Sequence, residues 1–171
     1  MVKEGQAAPD FTLKDDQGNN VSLSDYAGRK FVFCFYPKDD TPGCTTEACE
    51  FRDEFAEFRT RGIAIVGISA DSPESHTKFK TKYNLNFALL SDPDKKVAKA
   101  YGVWKEKSMY GKKYMGIERT TFIIDGDGII VQIFPRVKVS GHADEVLKAF
   151  GHLKTFKTPQ PQAVGDGGKP A

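Results

Sequence analysis

The sequence predicts an α/β protein with a mixed central sheet flanked by helices. Two apolar runs, residues 31–36 and 63–69, are typical of strands buried on both faces of a sheet. Each run is followed by a helical pattern, as expected for parallel strands joined by crossover helices. Near the C-terminal end, two further strand-like runs flank the Asp-Gly-Asp-Gly segment at 125–128, a strong hairpin signal. Parallel strands and an antiparallel hairpin in one sheet make that sheet mixed.

The N-terminal part of the chain predicts a β-hairpin. Short extended segments at 11–13 and 21–23 flank a turn-rich connection at 15–20. A polar link that stops at Gly28 then leads into the first buried strand.

The first helix follows the strand at 31–36 and has clear boundaries in the sequence. Thr41 is expected at the N-cap, with Pro42 at the favoured first helical position, and Gly62 is expected to end the helix. A single apolar stripe runs along the helix, and Cys44 is expected to lie outside it. The stripe consists of Ala48, Phe51, Phe55 and Phe58.

The alternation of strands and helices continues to the end of the predicted domain. Ser72 and Pro73 open a second helix that runs to Tyr83. The later predicted elements are a strand at 87–90, a helix at 95–101, strands at 120–124 and 129–134, and a helix from 140. This order fits a thioredoxin-like plan better than a Rossmann plan, because no G-x-G-x-x-G motif follows the first strand.

Length and composition predict one domain. The chain has 171 residues, of which 39% are hydrophobic, enough for a single core. We expect this domain to span residues 1–156. Residues 157–171 are rich in Pro and Gly, have little to bury and are predicted to form a mobile tail.

Charge and hydropathy exclude several classes of function. The 25 basic and 23 acidic residues nearly cancel, which argues against a nucleic-acid surface. No run of about 18 apolar residues predicts a membrane span, and the N-terminus lacks the apolar stretch of a signal peptide. The expectation is therefore a cytoplasmic protein, in which three cysteines are too few for a disulfide scaffold. A close cysteine pair in a reducing compartment indicates catalytic, redox or metal chemistry.

Cys44 is the strongest candidate for that chemistry. It falls in the predicted first turn of the helix, where unpaired backbone N–H groups and the positive end of the helix dipole favour a thiolate. Such positions lower cysteine pKa values. The alternative, a buried and inert cysteine, is disfavoured by the polar turn that precedes it.

Cys49 lies five residues further along the same helix. In an intact helix this spacing puts the two Cα atoms roughly 8.7 Å apart and on different faces. A disulfide needs Cα atoms within about 7 Å, so the two cysteines can bond only if the first turns unwind. Thr45 and Thr46 make unwinding easier, since each disfavours a helix by about half a kcal/mol relative to Ala.

The other uses of cysteine have less support. Cys34 lies in the middle of an aromatic strand and is expected to be part of the core. A zinc site would need four ligands at paired spacings, whereas the three histidines are scattered. A dithiol oxidoreductase of the thioredoxin type would carry a C-x-x-C motif, which the sequence lacks.

Several motifs resemble one known family. The pattern Pro37-x-x-x-Thr41-x-x-Cys44 resembles the peroxidatic motif of the peroxiredoxins. Residues 40–53 resemble the peroxiredoxin Q subfamily, also called bacterioferritin comigratory protein or thioredoxin-dependent thiol peroxidase. The resemblance covers about residues 5–153. It continues through the segments 8–11, 92–93, 101–104, 106–112, 116–125 and 138–142.

The resemblance implies a role for each of these residues. Cys44 would be the peroxidatic cysteine, which attacks a peroxide and becomes a sulfenic acid. Thr41 would accept a hydrogen bond through its hydroxyl, and Pro37 would shield the pocket. Arg119 matches the active-site arginine of the family, whose guanidinium would stabilise the thiolate and the departing oxygen. Judged from the residues alone, a surface charge at a strand end is the favoured interpretation of Arg119.

The resemblance also implies a catalytic cycle and its partners. Cys49 would be the resolving cysteine, forming an intramolecular disulfide with Cys44 that thioredoxin or a similar dithiol reduces. Hydrogen peroxide and organic hydroperoxides would be the substrates, with no metal, haem or flavin, in a monomer or weak homodimer. An alternative of a different class stays open: a redox sensor that signals oxidation to a partner through unwinding of the helix.

Overall fold

The computed structural model describes residues 2–152, which fold into nine strands and four α-helices. The strands are β1 (Thr12–Asp15), β2 (Asn20–Ser22), β3 (Lys30–Phe35), β4 (Ile63–Ser69), β5 (Ala88–Ser91), β6 (Trp104–Met109), β7 (Lys112–Ile117), β8 (Thr120–Ile124) and β9 (Ile130–Phe134). The helices are α1 (Pro42–Thr60), α2 (Pro73–Tyr83), α3 (Lys96–Ala100) and α4 (His142–His152). The predicted tail at 157–171 and the end of the predicted domain at 156 lie outside the described residues.

Seven strands form the central sheet, in the order β2-β1-β5-β4-β3-β8-β9. β3 is parallel to β4 and β4 to β5, whereas β1, β8 and β9 pair antiparallel with their neighbours. The mixed α/β sheet and the N-terminal hairpin are therefore confirmed. The polar link after β2 contains a 3-10 helix, Leu23–Tyr26, whose Asp25 carboxylate accepts from the Ser22 N–H at 2.9 Å.

The sheet separates two apolar layers. Successive side chains of β3 point to opposite faces, as in any strand. Phe33 and Phe35 enter one layer with Tyr101 and Phe122, while Cys34 enters the other. This second layer also contains the buried faces of α1 and α4, so β3 carries Cys34 directly beneath α1.

The β6–β7 hairpin was not predicted. It forms a separate two-stranded sheet, turned through Tyr110 and Gly111, both at positive φ, as in the two-residue turns that favour hairpins. Its base, Trp104 and Ile117, packs against the core, but the remaining residues are mostly polar. With no apolar alternation, the segment carries little strand signal.

No helix within residues 2–152 is long and apolar enough to cross a membrane.

Candidate active site

Cys44 is the third residue of α1 and its side chain is only 2% exposed. The expectation that it lies outside the apolar stripe is wrong. The spacing of positions 44, 48 and 51 continues the stripe toward the helix N-terminus, so Cys44 packs with Ala48 and Phe51 against Cys34 and Tyr36 from the sheet. A buried sulfur is thus placed in the first turn of a long helix.

The N-terminus of α1 has backbone N–H groups that lack intrahelical partners, in the same turn as this sulfur. Thr41 has the extended backbone of an N-cap, and Pro42 follows it at the first helical position, as predicted. The first intrahelical bond runs from the Thr45 N–H to the Thr41 carbonyl at 2.8 Å. The N–H groups of Gly43 and Cys44 precede that bond and lie at the positive end of the helix dipole.

Thr41 does not cap the helix with its side chain. Its hydroxyl instead donates to the Lys38 carbonyl at 2.9 Å, within the loop that begins at the half-buried Pro37. Donation uses the single proton of the hydroxyl, so its oxygen lone pairs can still accept a hydrogen bond.

Arg119 lies between β7 and β8 and reaches the N-terminus of α1. Its Nη1 donates to Glu47 Oε1 at 2.8 Å, and a Cβ added to Gly43 would come within 3.1 Å of Nη2. Burial opposes the charge of Arg119, but Glu47 and Cys44 outweigh it and raise the pKa of the guanidinium. Arg119 is therefore a partly buried cation beside Cys44 rather than a surface charge.

Glu47 is the functional residue that the sequence reasoning missed. Burial raises its pKa from 4.5 to about 7, while Arg119 acts in the opposite direction. One carboxylate oxygen is held by Arg119, and Oε2 has no hydrogen-bond partner among the described residues. A signal was available, because Glu47 is three residues from Cys44 and so shares its helix face.

The loop between β3 and α1 is fixed by a buried carboxylate. Asp39 accepts hydrogen bonds from the Tyr36 hydroxyl at 2.6 Å and the Ser75 hydroxyl at 2.8 Å. His76 Nδ1 lies 2.8 Å from the same carboxylate, and His76 Nε2 lies 2.9 Å from the Leu90 carbonyl. Burial and the neighbouring Asp39 raise the pKa of Tyr36 well above its usual value. The loop that carries Pro37 and Thr41 is thereby tied to α2.

Potential metal ligands meet once within residues 2–152, at Asp39, Asp71 and His76. Protein groups already use these atoms: Asp71 Oδ2 accepts from the Asp39 N–H at 2.8 Å and from the Ser69 hydroxyl at 2.6 Å. The cluster therefore functions as a structural hydrogen-bond network. It contains none of the cysteines that a zinc site would use.

All three cysteines are free thiols. Cys49 is half-buried on the unbroken helix α1, five residues from Cys44. Cys34 is fully buried, and burial together with the nearby Glu47 raises its pKa well above the usual value. It also lines a cavity of about 20 Å³ that lies between α1 and the sheet and is bordered by Cys44 and Glu47. Cys34 is thus held as a neutral thiol in the core.

Comparison with known proteins shows the family. Residues 4–133 match the model of the AhpC/TSA family. Over 147 residues the chain is 52% identical to peroxiredoxin Bcp of Bacillus subtilis, covering 86% of this chain and 94% of that protein. Against peroxiredoxin Bcp of Escherichia coli the identity is 47% over 146 residues, covering 85% and 94%.

A solved structure gives the same result. The structure of Xanthomonas campestris bacterioferritin comigratory protein, from work on its alkyl peroxide reduction activity, superimposes with a TM-score of 0.79 at 44% identity. The match covers 83% of this chain and 90% of that one. The fold and the buried cysteine site thus define a peroxiredoxin with a thioredoxin-like fold. The chain belongs to the AhpC/TSA family, and within it to the Bcp, or peroxiredoxin Q, group.

Proposed function

We propose that this protein reduces hydrogen peroxide and organic hydroperoxides, with Cys44 as the peroxidatic cysteine. The observation that carries the proposal is the partly buried guanidinium of Arg119, held by Glu47 beside Cys44 at the N-terminus of α1. A fixed cation and a helix N-terminus both favour a sulfur anion over a neutral thiol. Cys34, buried in the same layer, lies on a strand rather than at a helix N-terminus, and burial raises the pKa of its thiol well above the usual value, so it is not a candidate nucleophile.

In the first step the Cys44 thiolate attacks one oxygen of the peroxide. An S–O bond forms, the O–O bond breaks, and water or an alcohol leaves after its oxygen takes up a proton. Charge grows on the departing oxygen, where Arg119 and the N–H groups of Gly43 and Cys44 stabilise it. Thr41 accepts a hydrogen bond from the peroxide, and Pro37 limits access of water. Cys44 is left as a sulfenic acid.

In the second step the Cys49 sulfur attacks the sulfenic acid, water leaves, and a Cys44–Cys49 disulfide forms. Because the two cysteines lie on different faces of α1, its first turns must unwind for this bond to form. The local sequence supports unwinding: Gly43 is a poor helix former, and Thr46 donates from its hydroxyl to the Pro42 carbonyl at 3.0 Å.

Organic hydroperoxides are included because the Xanthomonas relative is described by its alkyl peroxide reduction activity. The cycle closes when thioredoxin or a related dithiol protein reduces the disulfide by exchange. Such recycling requires a reducing compartment, so we place the protein in the cytoplasm.

The proposal is tested by following peroxide consumption and disulfide formation separately. Stopped-flow measurement should show loss of peroxide reduction in Cys44→Ser, and retained activity there would overturn the proposal. Cys49→Ser should still form a sulfenic acid but lose turnover driven by thioredoxin. Mass spectrometry of the peroxide-treated protein should find the Cys44–Cys49 bond, and normal turnover of Cys49→Ser would remove Cys49 as the resolving residue.

Steady-state turnover also separates this function from that of a redox sensor. A peroxidase cycles repeatedly when peroxide and a dithiol reductant are supplied together. A sensor would be oxidised once and stay oxidised until its signal has been passed on. Multiple turnovers per minute with thioredoxin would therefore support the peroxidase, and a single turnover would support the sensor.

A further inference from the structure

The exposed large hydrophobic side chains of the described structure are all on the β6–β7 hairpin. They are Met109, Tyr110, Tyr114 and Met115. Scattered exposed apolar residues are ordinary, but a group confined to one projecting element marks an interaction surface. The hairpin is a separate sheet, so these residues do not extend the central core.

Register assigns the hairpin residues to two faces, because directly paired residues share a face. One, here called the lysine face, consists of Lys105, Lys107, Met109, Lys112, Tyr114 and Gly116. The opposite face consists of Trp104, Glu106, Ser108, Lys113, Met115 and Ile117. The base of the opposite face, Trp104 and Ile117, packs on the core, and the outer residues of both faces are exposed.

The lysine face is continuous with the active site. Lys107 is half-buried and lies close enough to Arg119 and Cys44 for both to affect its charge. Lys105 pairs at 3.3 Å with Glu118, the residue before Arg119. The Lys107 stem and the Tyr114 ring lie across Gly116, where an added Cβ would meet them at 3.3 Å and 3.4 Å. An apolar and basic surface therefore runs from the surroundings of Arg119 and Cys44 to the hairpin tip.

The hairpin tip adds an exposed aromatic ring to this surface. Tyr110 has φ of 53°, a left-handed conformation that is unfavourable for an aromatic residue, and its side chain is 97% exposed. The fold gains no packing from this ring. Tyrosine is among the residues enriched at energetic centres of protein interfaces, because it offers a large and rigid contact area.

We propose that the lysine face is the docking surface for the dithiol protein that reduces the oxidised enzyme. This inference rests on the proposed function. The partner is expected to present an apolar patch edged by acidic residues near its reactive cysteine, because this face carries three lysines, Lys105, Lys107 and Lys112. A second copy of this chain fits poorly, because pairing the face with itself would oppose lysine to lysine. A peroxide is too small to use such a surface.

Docking here brings the partner to the disulfide. The partner's thiolate attacks one sulfur of the Cys44–Cys49 bond, forms a mixed disulfide and releases the other sulfur as a thiolate. The partner's second thiolate then attacks the mixed disulfide, so the enzyme recovers two thiols and the partner becomes a disulfide. Two electrons pass from the partner to the enzyme.

The test compares two reductants in steady-state assays of peroxide consumption. Thioredoxin, regenerated by thioredoxin reductase and NADPH, needs a docking surface, whereas dithiothreitol does not. In Lys112→Glu and Tyr114→Ser the KM for thioredoxin should rise about tenfold, while the dithiothreitol-driven rate stays at the wild-type value. The matched variants Lys113→Glu and Met115→Ser, on the opposite face, should keep the KM for thioredoxin within about twofold of the wild type. Raising the ionic strength should raise the wild-type KM and affect Lys112→Glu less.

Several outcomes would overturn the docking surface. One is a change in the KM for thioredoxin that is equal for variants of both faces, or absent for both. Another is a wild-type enzyme that dithiothreitol turns over but thioredoxin does not. A homodimer in sedimentation velocity that Lys112→Glu dissolves, with unchanged thioredoxin kinetics, would assign the face to self-association. Binding to phosphatidylglycerol vesicles with the same dependence would assign it to a membrane surface. None of these results touches the peroxidase reaction, which is tested separately by peroxide consumption of the wild type with dithiothreitol and by its loss in Cys44→Ser.

Discussion

Arg119 and Glu47 are 72 positions apart in the chain and are joined by a hydrogen bond of 2.8 Å at the N-terminus of α1. The bond uses one oxygen of a carboxylate that is otherwise buried without a partner among the described residues. Gly43 leaves the space through which the guanidinium approaches. The pair therefore fixes a cation beside Cys44 and links the state of α1 to the position of that cation.

Removing the cation should slow the reaction with peroxide. In Arg119→Met we expect the second-order rate constant for Cys44 oxidation, measured by stopped flow, to fall about 100-fold or more, the loss typical of one electrostatic contact in a transition state. Arg119→Lys keeps the charge but not the planar fork and should recover only part of this loss. Arg61→Met, at the exposed far end of α1, serves as the control and should react at the wild-type rate.

The buried Glu47 should make the stability of the protein depend on pH. Its pKa is about 7 in the folded protein, above the value of 4.5 for an exposed glutamate. A raised pKa contributes stability that is fully present below pH 4.5 and lost as pH rises to about 7, because ionisation of the buried group is opposed. The free energy of unfolding, measured with urea, should therefore fall between pH 5 and 7.5.

In Glu47→Gln this fall should be reduced, since a neutral amide does not titrate. Glu57→Gln, on the exposed side of the same helix, should follow the wild-type profile. A wild-type profile that is flat over this range, or equal slopes in wild type and Glu47→Gln, would contradict the assignment of the titration to Glu47.

The ease with which α1 unwinds should set the rate of disulfide formation. Thr46→Ala replaces a weak helix former by a strong one and should stabilise the first turns by about half a kcal/mol, slowing Cys44–Cys49 bond formation about twofold. Rapid quenching with an alkylating reagent followed by mass spectrometry gives this rate. Thr60→Ala is a closely matched control, because Thr60 also bonds to the carbonyl four residues earlier, at the other end of the helix. A faster rate in Thr46→Ala would exclude helix unwinding as the limiting step.

The buried carboxylate of Asp39 should stabilise both the fold and the loop that carries Thr41. Asp39→Asn keeps the shape but weakens the hydrogen bonds from Tyr36 and Ser75 and the contact with His76, so we expect a loss of about 1.5–3 kcal/mol in the free energy of unfolding. The rate of peroxide reduction should fall with it, because the loop loses its attachment to α2. The control is Asp40→Asn.

Asp40 is the neighbouring carboxylate, but it is exposed and pairs with Lys82 and Tyr83 on the surface. Its backbone φ of 58° is one that asparagine tolerates, so the replacement causes no strain. Little change in stability is expected there. If the two replacements were equally harmful, the buried network around Asp39 would have no special role.

Elements with a strong local pattern were predicted, and elements without one were not. The apolar strand β4 and the proline-initiated helix α2 lie where the sequence placed them, because burial and capping act over a few residues. The hairpin β6–β7 was missed, since its polar strands owe their position to Trp104 and Ile117 at the base. The burial of Cys44 was missed because the apolar stripe was started one turn too late.

Residue spacing was enough to predict the strand-turn-helix around Cys44 and the separation of Cys44 from Cys49 in an intact helix, because spacing is a local property of the chain. The class of protein was predicted from the resemblance of several motifs to the peroxiredoxins. The fold itself was needed to bury Glu47 against Arg119 and to tie the loop between β3 and α1 to His76 through Asp39. The fold also places Lys107 of the lysine face near Cys44. Those relationships join residues that are far apart in the chain, and pairing of buried charges depends on which surfaces the fold brings together.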